Sequence, residues 1–206
     1  IVDDNSSDGT KITAQALSDK YAGRIFLKER AGKLGLGSAY IEGFSFALKQ
    51  KYDYVFEMDA DLSHNPEEIP NFLEAVKEAD VVIGSRYLEG IRIMNWPLSR
   101  LILSYTANIY ARLTSGLKLT DCTSGYKCFS REALEVIPLS LIKSNGYAFQ
   151  VEVNFWCQRL GLRLKEIPIV FTDRVLGNSK MSKRIVREAV FLGIRLLFRR
   201  LIWAKL

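Results

Sequence analysis

Two aspartates that lie one residue apart give the strongest local signal for chemistry in this chain. Asp59 and Asp61 directly follow the apolar run 54–58, which is typical of a buried strand. Two carboxylates at the end of a strand can hold a divalent cation, and the cation can bridge a diphosphate. The alternative is a polar turn in which Asp61 caps the next helix, because a bare DxD is a weak motif. His64 fits a residue of that turn better than it fits a ligand.

A second acidic cluster lies at the start of the sequence. Asp3 and Asp4 follow two apolar residues, and Asp8 precedes a glycine and a helical pattern. Carboxylates at a strand end can accept hydrogen bonds from a ribose or from the edge of a base. A capped helix start uses the same residues, so the sequence allows both interpretations at once.

A glycine-rich segment at 30–37, RAGKLGLG, carries Lys33 and opens a predicted helix. Glycines let the backbone approach a ligand closely, and the N-terminus of a helix favours anions. The spacing is not the GxGxxG of dinucleotide-binding proteins. An ordinary turn between a strand and a helix therefore remains the alternative.

Several basic residues lie beside glycine, serine or a strand end. They are Arg86, Arg100, Lys127, Arg174 and Lys180. Arginine matches phosphate oxygens with paired hydrogen bonds, and lysine supplies a mobile point charge. A single basic residue is more often a solvated surface charge. The loop 174–180 is better suited to enclosing an anion, because it also contains glycine and serine.

The composition of the chain narrows the class of partner. A net charge of +6 over 206 residues indicates anionic partners, whether a phosphorylated ligand, an anionic lipid or a nucleic acid. Aromatic and basic residues do not interleave as a stacking surface requires, so nucleic acid is not expected. Three cysteines without a CxxC pair disfavour a disulfide scaffold and a zinc site.

The elements that must position these residues alternate between strand and helix. Strands are predicted at 25–27, 54–58, 81–83 and 167–171, and helices at 37–49, 66–79, 100–112 and around 149–159. This alternation predicts an α/β fold with a mostly parallel sheet and helices on both faces. Ligands bind at the carboxyl ends of such strands, so Asp3, Asp59 and Arg86 should meet at one edge. The stretch 120–130 is predicted to be a turn-rich connection.

The chain is predicted to contain one catalytic domain, residues 1–180. Its first strand is expected to begin before residue 1, because Ile1-Val2 resembles the end of a strand. An interface helix at about 96–115 belongs to this domain. Its uncharged run 101–111 is shorter than the roughly 20 residues that a bilayer span requires.

Residues 181–206 are predicted to form an amphipathic helix. Charged side chains gather on one side, at Arg184, Arg187, Glu188, Arg195 and Arg199, and apolar ones on another, at Val186, Val190, Ile194, Leu197 and Leu201. Such a helix can lie in the headgroup region of a membrane. It can equally pack against the domain or against a second subunit.

Taken together, these segments resemble family 2 glycosyltransferases of the GT-A (Rossmann-like) fold, and among them the dolichol-phosphate (polyprenol-phosphate) mannose synthases. The matching segments, in family order, are IVDDNSSDGT, GKLGLGSAYIEGF, FEMDADLSHNPEEIP, IGSRYLEG, NWPLSRLILSYTANIYARL, DCTSGYKCF, SNGYAFQVE and EIPIVFTDRVLGNSKMS. They cover nearly the whole chain. DxD and DDxSxDGT indicate a glycosyltransferase in general, whereas GLGSAYIEGF, NWP…SYTAN and RxxGxSK are more specific.

The resemblance implies a mannosyltransferase that uses Mg²⁺ or Mn²⁺. Mannose would pass from GDP-mannose to a polyprenyl (dolichyl) phosphate with inversion. The residues implied to bind the nucleotide-sugar are Asp3, Asp4, Asp8, Lys33, Asp59, Ala60 and Asp61, with Asp59 and Asp61 also holding the metal. The residues implied to act in catalysis are Asp61, Arg86, Arg100, Arg174 and Lys180, with Asp121 and Lys127 on the acceptor side.

The sequence departs from the family pattern at two places. The family's opening strand and its PTYNE-like segment, which help to hold the nucleotide, are absent from this sequence. Ser63 stands where some members carry a glutamine that assists the metal, so a water would take that place.

The expected mechanism is a single in-line displacement. An acceptor phosphate is already anionic near neutral pH, so it needs no strong general base. The lipid acceptor implies peripheral or interface-embedded attachment at the cytoplasmic face of a membrane, beside a membrane-spanning partner subunit if the chain acts with one.

Other functions remain open from the residues alone. A sister enzyme would use UDP-glucose or another UDP-sugar with the same kind of acceptor. A processive or soluble-acceptor transferase usually needs a further carboxylate base or a QxxRW-like segment, and no such segment is found. An Asp-based phosphatase expects its DxD at the first strand with Thr or Val following, whereas Leu62-Ser63 follow here. A non-enzymatic binder would leave both acidic clusters without a role.

Overall fold

The central sheet has four strands and helices on both of its faces. The computed structural model describes residues 1–173 and 183–203, and the side chains of all of these except 183–185 and 203. The strands are β1 (Val2–Asp3), β2 (Lys28–Glu29), β3 (Tyr54–Glu57), β4 (Val81–Ser85), β5 (Ile93–Met94), β6 (Lys127–Ser130), β7 (Leu164–Pro168) and β8 (Phe171–Thr172). The helices are α1 (Thr10–Lys20), α2 (Leu36–Lys49), α3 (Ile69–Ala75), α4 (Leu98–Ser115), α5 (Arg131–Val136), α6 (Gly146–Arg159) and α7 (Lys183–Trp203).

The sheet is mixed, with the strand order β3-β6-β4-β7. β4 and β7 are parallel, and β6 runs antiparallel between β3 and β4. Two parallel pairs, β1 with β2 and β5 with β8, lie beside it. The α/β fold is confirmed, and three of the four central strands share one direction as predicted. The stretch 120–130 contains β6, so its prediction as a connection was wrong. Lys127 at the start of the strand gave it a polar appearance.

Alternating side chains of the central strands fill a core on each face. Val81 and Ile83 point into one hydrophobic cluster, and Val82 between them points into the other, as the two-residue period of a strand requires. α3 covers the second cluster through Phe72, which is fully buried. A Cβ on Gly84 would lie 2.9 Å from the Phe72 ring, so only glycine fits between this strand and α3.

Several predicted boundaries differ from the structure. The strand expected at 25–27 lies at Lys28–Glu29, and the helix expected at 66–79 is a short 3₁₀ turn followed by Ile69–Ala75. The interface helix spans Leu98–Ser115. Pro97, with φ −59°, precedes it, and Gly116, with φ 74°, ends it in the left-handed region that favours glycine.

α7 packs on α4 and α6, and it buries Leu192 and Leu196 against them. The Tyr110 hydroxyl donates to the backbone oxygen of Val190 at 2.8 Å. The Tyr110 ring lies directly over Gly193. A domain boundary at residue 180 stays a prediction. Within the described part of the chain, every helix is too short or too polar to cross a membrane.

Candidate active site

The DxD motif forms a tight turn directly after β3. Asp61 Oδ1 accepts hydrogen bonds from the Ser63 amide at 3.1 Å and from the Ser63 hydroxyl at 2.5 Å. Leu62 has a φ of 64°, and His64 Nδ1 accepts the Asp59 amide proton at 3.1 Å. These contacts fix both aspartates before any ligand binds. Ser63 stands where some family members carry a glutamine that assists the metal, and in this structure it orients Asp61.

The carboxylate of Asp59 is oriented from α2. The Tyr40 hydroxyl donates to Asp59 Oδ1 at 3.2 Å, and the Tyr40 ring stacks on Phe149 at a centroid distance of 5.5 Å. Burial raises the pKa of Tyr40, and the charges of Glu57 and Asp59 raise it further. Tyr40 therefore stays protonated and keeps donating. Neither Tyr40 nor its role was visible from the sequence pattern.

A buried ion pair lies beneath this turn. Lys127 Nζ is 2.7 Å from Glu57 Oε1, and both side chains are fully buried. The ammonium also donates to the backbone oxygen of Ser124 at 2.8 Å and to Gln150. Burial raises the pKa of Glu57, and the ammonium of Lys127 acts in the opposite direction. Lys127 faces Glu57 in the interior of the protein, and its assignment to the acceptor side stays a prediction.

Arg86 is held in place by Asp121. Its Nε and Nη2 lie 2.6 Å and 2.8 Å from the two carboxylate oxygens, and its amide bonds to the same group. Burial raises the pKa of Asp121, but the charge and hydrogen bonds of Arg86 outweigh burial and lower it overall. Asp121 is completely buried and is in turn held by Glu166 through its amide at 2.8 Å. Asp121 thus positions Arg86, and its own assignment to the acceptor side stays a prediction.

Arg100, in the first turn of α4, lies close to the same aromatic ring as Arg86. Its guanidinium carbon is 4.1 Å from the centre of the Trp96 ring, and that of Arg86 is 5.9 Å from it. Arg100 Nη1 donates to both carboxylate oxygens of Asp173 at 2.9 Å. Arg86 follows a strand and Arg100 lies on a helix, and both guanidinium groups lie close to the ring of Trp96.

A cavity of about 380 Å³ runs between α4, α6 and α7. Arg86 and Arg100 line it, and so does Thr114 in the last turn of α4. From Arg100 to Thr114 the helix rise spans roughly 21 Å. Most of the remaining lining is apolar and comes from all three helices, for example Leu103, Ala107, Val151 and Val190. The cavity thus combines a cationic part with a long apolar part.

The DxD turn and Arg86 share one edge of the sheet, as predicted, because β3 and β4 run in the same direction. The His64 ring contacts the Phe171 ring at a centroid distance of 5.5 Å. The guanidinium of Arg86 lies 5.6 Å from the centre of that same ring. The sequence pattern gave no sign that His64 and Phe171 connect Asp59 to Arg86.

The first acidic cluster is organised by its own contacts. Asp4 forms an ion pair with Arg30, which also donates to the Ser38 hydroxyl at 2.7 Å. Asp3 accepts the Ser6 amide at 2.9 Å. Asp8 accepts the amide and the hydroxyl of Thr10, and these bonds lower the pKa of Asp8. Asp8 therefore fixes the turn into α1, which is the structural alternative drawn from the sequence.

Two of the three glycines of the 30–37 segment, Gly35 and Gly37, serve packing. A Cβ on Gly35 would lie 2.5 Å from the Asn145 side chain, and one on Gly37 would lie 2.4 Å from the Ser144 backbone oxygen. Lys33 is exposed. Arg174 and Lys180, and the side chain of Arg184, lie outside the described residues.

The DxD residues suit a hard divalent cation. Carboxylate oxygens are the ligands that Mg²⁺ and Mn²⁺ prefer, and Mg²⁺ commonly combines one or two carboxylates with waters and substrate phosphates. Tyr40 and Ser63 orient the two carboxylates without neutralising them. Across residues 1–173 and 183–203 no cluster of three His, Cys, Asp or Glu side chains could hold an ion by itself. Asp59 and Asp61 fit an ion that takes its remaining ligands from other sources, as Mg²⁺ commonly does.

Comparison with known proteins gives one family. The sequence profile of Glycosyl transferase family 2 matches residues 1–137. The undecaprenyl-phosphate mannosyltransferase of Micrococcus luteus is 47% identical over 190 residues, which are 92% of this chain and 78% of that protein. The polyprenol monophosphomannose synthase of Mycolicibacterium smegmatis is 46% identical over 192 residues, 93% of this chain and 72% of that protein.

Solved structures agree on the fold. The glucosyl-3-phosphoglycerate synthase of Mycobacterium tuberculosis in complex with Mn²⁺ and UDP-glucose has a TM-score of 0.65 at 19% identity, covering 95% of this chain and 66% of its own. Its complex with Mg²⁺ and UDP gives the same values. Likeness at this identity concerns the fold alone. From the profile match and the two close relatives, the chain belongs to glycosyl transferase family 2.

Proposed function

We propose that the protein transfers mannose from GDP-mannose to a polyprenyl phosphate with inversion, giving polyprenyl-phosphate mannose and GDP. The observation that carries the proposal is the cavity between α4, α6 and α7. Arg86 and Arg100 line it near the first turn of α4, and most of its remaining lining is apolar. A prenyl phosphate has the same two parts, an anionic head and a long apolar tail. The names of the two relatives support this acceptor and the mannosyl group.

The donor would bind around the DxD turn. The carboxylates of Asp59 and Asp61 would hold a Mg²⁺ or Mn²⁺ ion on the donor diphosphate, where it would act as a Lewis acid for the departing GDP. The structural neighbours with bound Mn²⁺ or Mg²⁺ and UDP support this use of the fold. Further proposed contacts of the nucleotide-sugar are Asp3, Asp4, Asp8, Lys33 and Ala60.

Arg86 and Arg100 would bind the acceptor phosphate and bring it to the sugar. The acceptor phosphate and the donor diphosphate are both anionic and repel each other. Fixed guanidinium groups between them lower the free energy of bringing them together. One phosphate oxygen attacks the sugar carbon while the bond to GDP breaks on the opposite side. This step requires no proton transfer to a side chain. Arg174 and Lys180 remain proposed contacts of the same phosphates.

The helices α4 and α7 would contact the membrane surface. α4 exposes Leu98, Ile102 and Leu113, and α7 exposes Phe191, Phe198 and Ile202. α7 also exposes Arg187 and Arg200. A helix pair with apolar and basic side chains on its surface is suited to the headgroup region of a membrane with anionic lipids. We propose peripheral attachment at the cytoplasmic face, with the cavity supplied from the lipid, alone or beside a membrane-spanning partner subunit.

The test supplies the protein with Mg²⁺, a polyprenyl phosphate and radiolabelled GDP-mannose, and measures label extracted into organic solvent. A parallel reaction contains radiolabelled UDP-glucose. We expect label in the organic phase only from GDP-mannose. Transfer from UDP-glucose instead would contradict the donor and keep the acceptor.

Two variants test the metal site, and a third serves as their control. Asp59→Ala and Asp61→Ala should each lower turnover by at least about a hundredfold, the scale expected when a group acting on transition-state charge is removed. Glu67→Ala, in the exposed 3₁₀ turn nearby, should keep full activity. Full activity of both aspartate variants would overturn the metal assignment.

A further inference from the structure

The hydroxyl of Thr123 lies where Arg86 meets the interface helix α4. Arg86 Nη2 donates to Thr123 Oγ1 at 2.7 Å, and Asn108 Nδ2, from the middle of α4, donates to the same oxygen at 3.3 Å. The hydroxyl donates its own proton to Asp121 Oδ1 at 3.2 Å. A threonine hydroxyl has one proton and two lone pairs, so these three bonds use its full capacity. Thr123 therefore acts through its neighbours.

Asn108 ties the segment 121–123 to α4. Only 2% of this residue is exposed. Besides its bond to Thr123, Asn108 accepts the Cys122 amide proton at Oδ1, at a distance of 2.8 Å. A buried side-chain amide is unfavourable unless it forms hydrogen bonds. The segment and the helix are therefore held in the relative position that provides these bonds.

Thr123 completes the set of contacts that hold Arg86. Asp121 accepts from Nε and from Nη2, and Thr123 accepts the second Nη2 proton. Within the described residues no protein atom accepts from Arg86 Nη1, and this nitrogen is not fully enclosed. Arg86 also lines the cavity. Nη1 is thus the nitrogen that remains for a ligand, and the contacts on the other side of the group decide where it points.

The same contacts connect Arg86 with Arg100. α4 carries Arg100 about two turns before Asn108, and both arginines line the cavity. Hydrogen bonds therefore lead from Arg86 through Thr123 to the helix that carries Arg100. A phosphate that contacts both guanidinium groups is bound best when their relative position is fixed beforehand, because no freedom is then lost on binding.

We propose that the Thr123 hydroxyl is a positioning group that sets Arg86 relative to α4, so that Arg86 and Arg100 receive the acceptor phosphate together. The inference rests on the proposed function, because it assumes a prenyl phosphate in this cavity. Loss of the hydroxyl leaves Arg86 paired with Asp121 and removes its connection to Asn108. Recognition of the phosphate should weaken, and recognition of the apolar tail should not.

The experiment measures binding of farnesyl phosphate and of farnesol to the full chain by calorimetry in mild detergent, without donor. Thr123→Val keeps the shape of the side chain and removes the hydroxyl, whereas Thr123→Ser keeps the hydroxyl. Thr120→Val is the matched control, since the Thr120 hydroxyl bonds to Glu166 at 2.7 Å and to Ser85 at 2.8 Å. It removes a similarly bonded hydroxyl from the same stretch of chain, without a direct contact to Arg86.

We expect Thr123→Val to weaken farnesyl phosphate binding about threefold to tenfold, the usual effect of one hydrogen bond. Farnesol binding should stay at the wild-type value, and Thr123→Ser should restore phosphate binding. Thr120→Val should bind both compounds normally. Both valine variants should melt below wild type, because each leaves polar groups unpaired.

Unchanged farnesyl phosphate binding by Thr123→Val would overturn the inference alone. An equal loss for farnesol would also overturn it, because the residue would then serve the packing of the cavity. The same loss in Thr120→Val would show a general loosening of the segment and would overturn it as well. If the wild-type protein did not prefer the phosphate over the alcohol, the proposed acceptor would fail together with the inference.

Discussion

At the scale of single residues, the site depends on neighbours that fix charged groups. Asp59 is held by Tyr40 at its carboxylate and by His64 at its amide. Arg86 is held by Asp121 on two sides. Asp59 and Arg86, which we propose to face ligands, are therefore each oriented by a neighbouring residue.

Tyr40→Phe should weaken metal binding without removing catalysis. The change deletes the hydroxyl that donates to Asp59 and leaves the ring stacked on Phe149. A single hydrogen bond of this kind alters an equilibrium by about threefold to tenfold. We expect the Mn²⁺ dissociation constant, measured by electron paramagnetic resonance in the presence of GDP, to rise by that factor. Turnover at saturating Mn²⁺ should stay within about twofold of wild type, because the carboxylate itself remains.

The control for this variant is Tyr54→Phe, which changes a half-exposed tyrosine of β3 in the same way. It should bind Mn²⁺ like the wild-type protein. If Tyr40→Phe also binds Mn²⁺ normally, the hydroxyl has no part in orienting Asp59.

At the scale of elements, α7 is joined to α4 by side chains that contact the backbone of the other helix. Gly193 of α7 lies beneath the ring of Tyr110, whose hydroxyl bonds to the backbone of α7 at Val190. Further along, Arg200 packs on Gly116 and donates to the Leu113 oxygen at 3.4 Å, where α4 ends. The two helices thus form one wall of the cavity.

Gly193→Ala should destabilise the protein. The new Cβ would lie 2.5 Å from atoms of the Tyr110 side chain, so that side chain or one of the helices must move. Overpacking of this kind costs about 1–3 kcal/mol. Gly43→Ala is the matched control, because Gly43 lies within α2 with no atom within 4 Å of the new Cβ. It should be neutral or stabilise by up to about 1 kcal/mol. Urea unfolding measures both, and equal midpoints would contradict the close contact.

Lys127→Met should destabilise more strongly, because it leaves the buried carboxylate of Glu57 without its counter-charge. Breaking a buried ion pair from one side typically costs about 3–5 kcal/mol. The double variant Glu57→Leu/Lys127→Met removes both charges and should recover much of the loss. Chemical denaturation of the single and double variants tests this, and additive losses would show that the two side chains act independently.

At the scale of the whole molecule, α4 and α7 carry exposed apolar residues and are also two of the three helices that line the cavity. A lipid acceptor could then reach the arginines while its tail stays near the membrane. The net charge of +6 adds attraction to an anionic surface.

Leu113→Ser combined with Phe198→Ser should reduce binding to vesicles that contain phosphatidylglycerol. Both side chains are more than half exposed, at 69% and 61%, so their loss removes membrane contact with little cost to the core. Sedimentation with vesicles at low salt should show at least about a tenfold weaker partition, since each buried large apolar side chain contributes about 1.5–3 kcal/mol. Ile12→Ser on α1, 77% exposed, is the control and should bind normally. Equal partition of all three proteins would exclude this surface.

Strand ends and their acidic residues could be predicted from the sequence, because an apolar run followed by aspartates has a clear pattern. The fold class and the shared edge of Asp59 and Arg86 followed from it. The roles of Tyr40 and Trp96 could not, because they depend on which helix packs beside which strand. The burial of Lys127 could not be predicted for a related reason, because a lysine in the sequence carries no sign that Glu57, 70 residues earlier, will neutralise it in the interior.

The position of the buried ion pair has a consequence for how the chain aligns its strands. Glu57 and Lys127 lie directly opposite each other in the pairing of β3 with β6. A shift of this pairing by one residue would turn every side chain to the other face and separate the two charges inside the protein. Apolar residues alone would tolerate such a slip more easily, because Val55, Phe56, Cys128 and Phe129 are all compatible with a core. The ion pair therefore fixes the register of β3 against β6, and with it the position of the strand end at which the DxD turn begins.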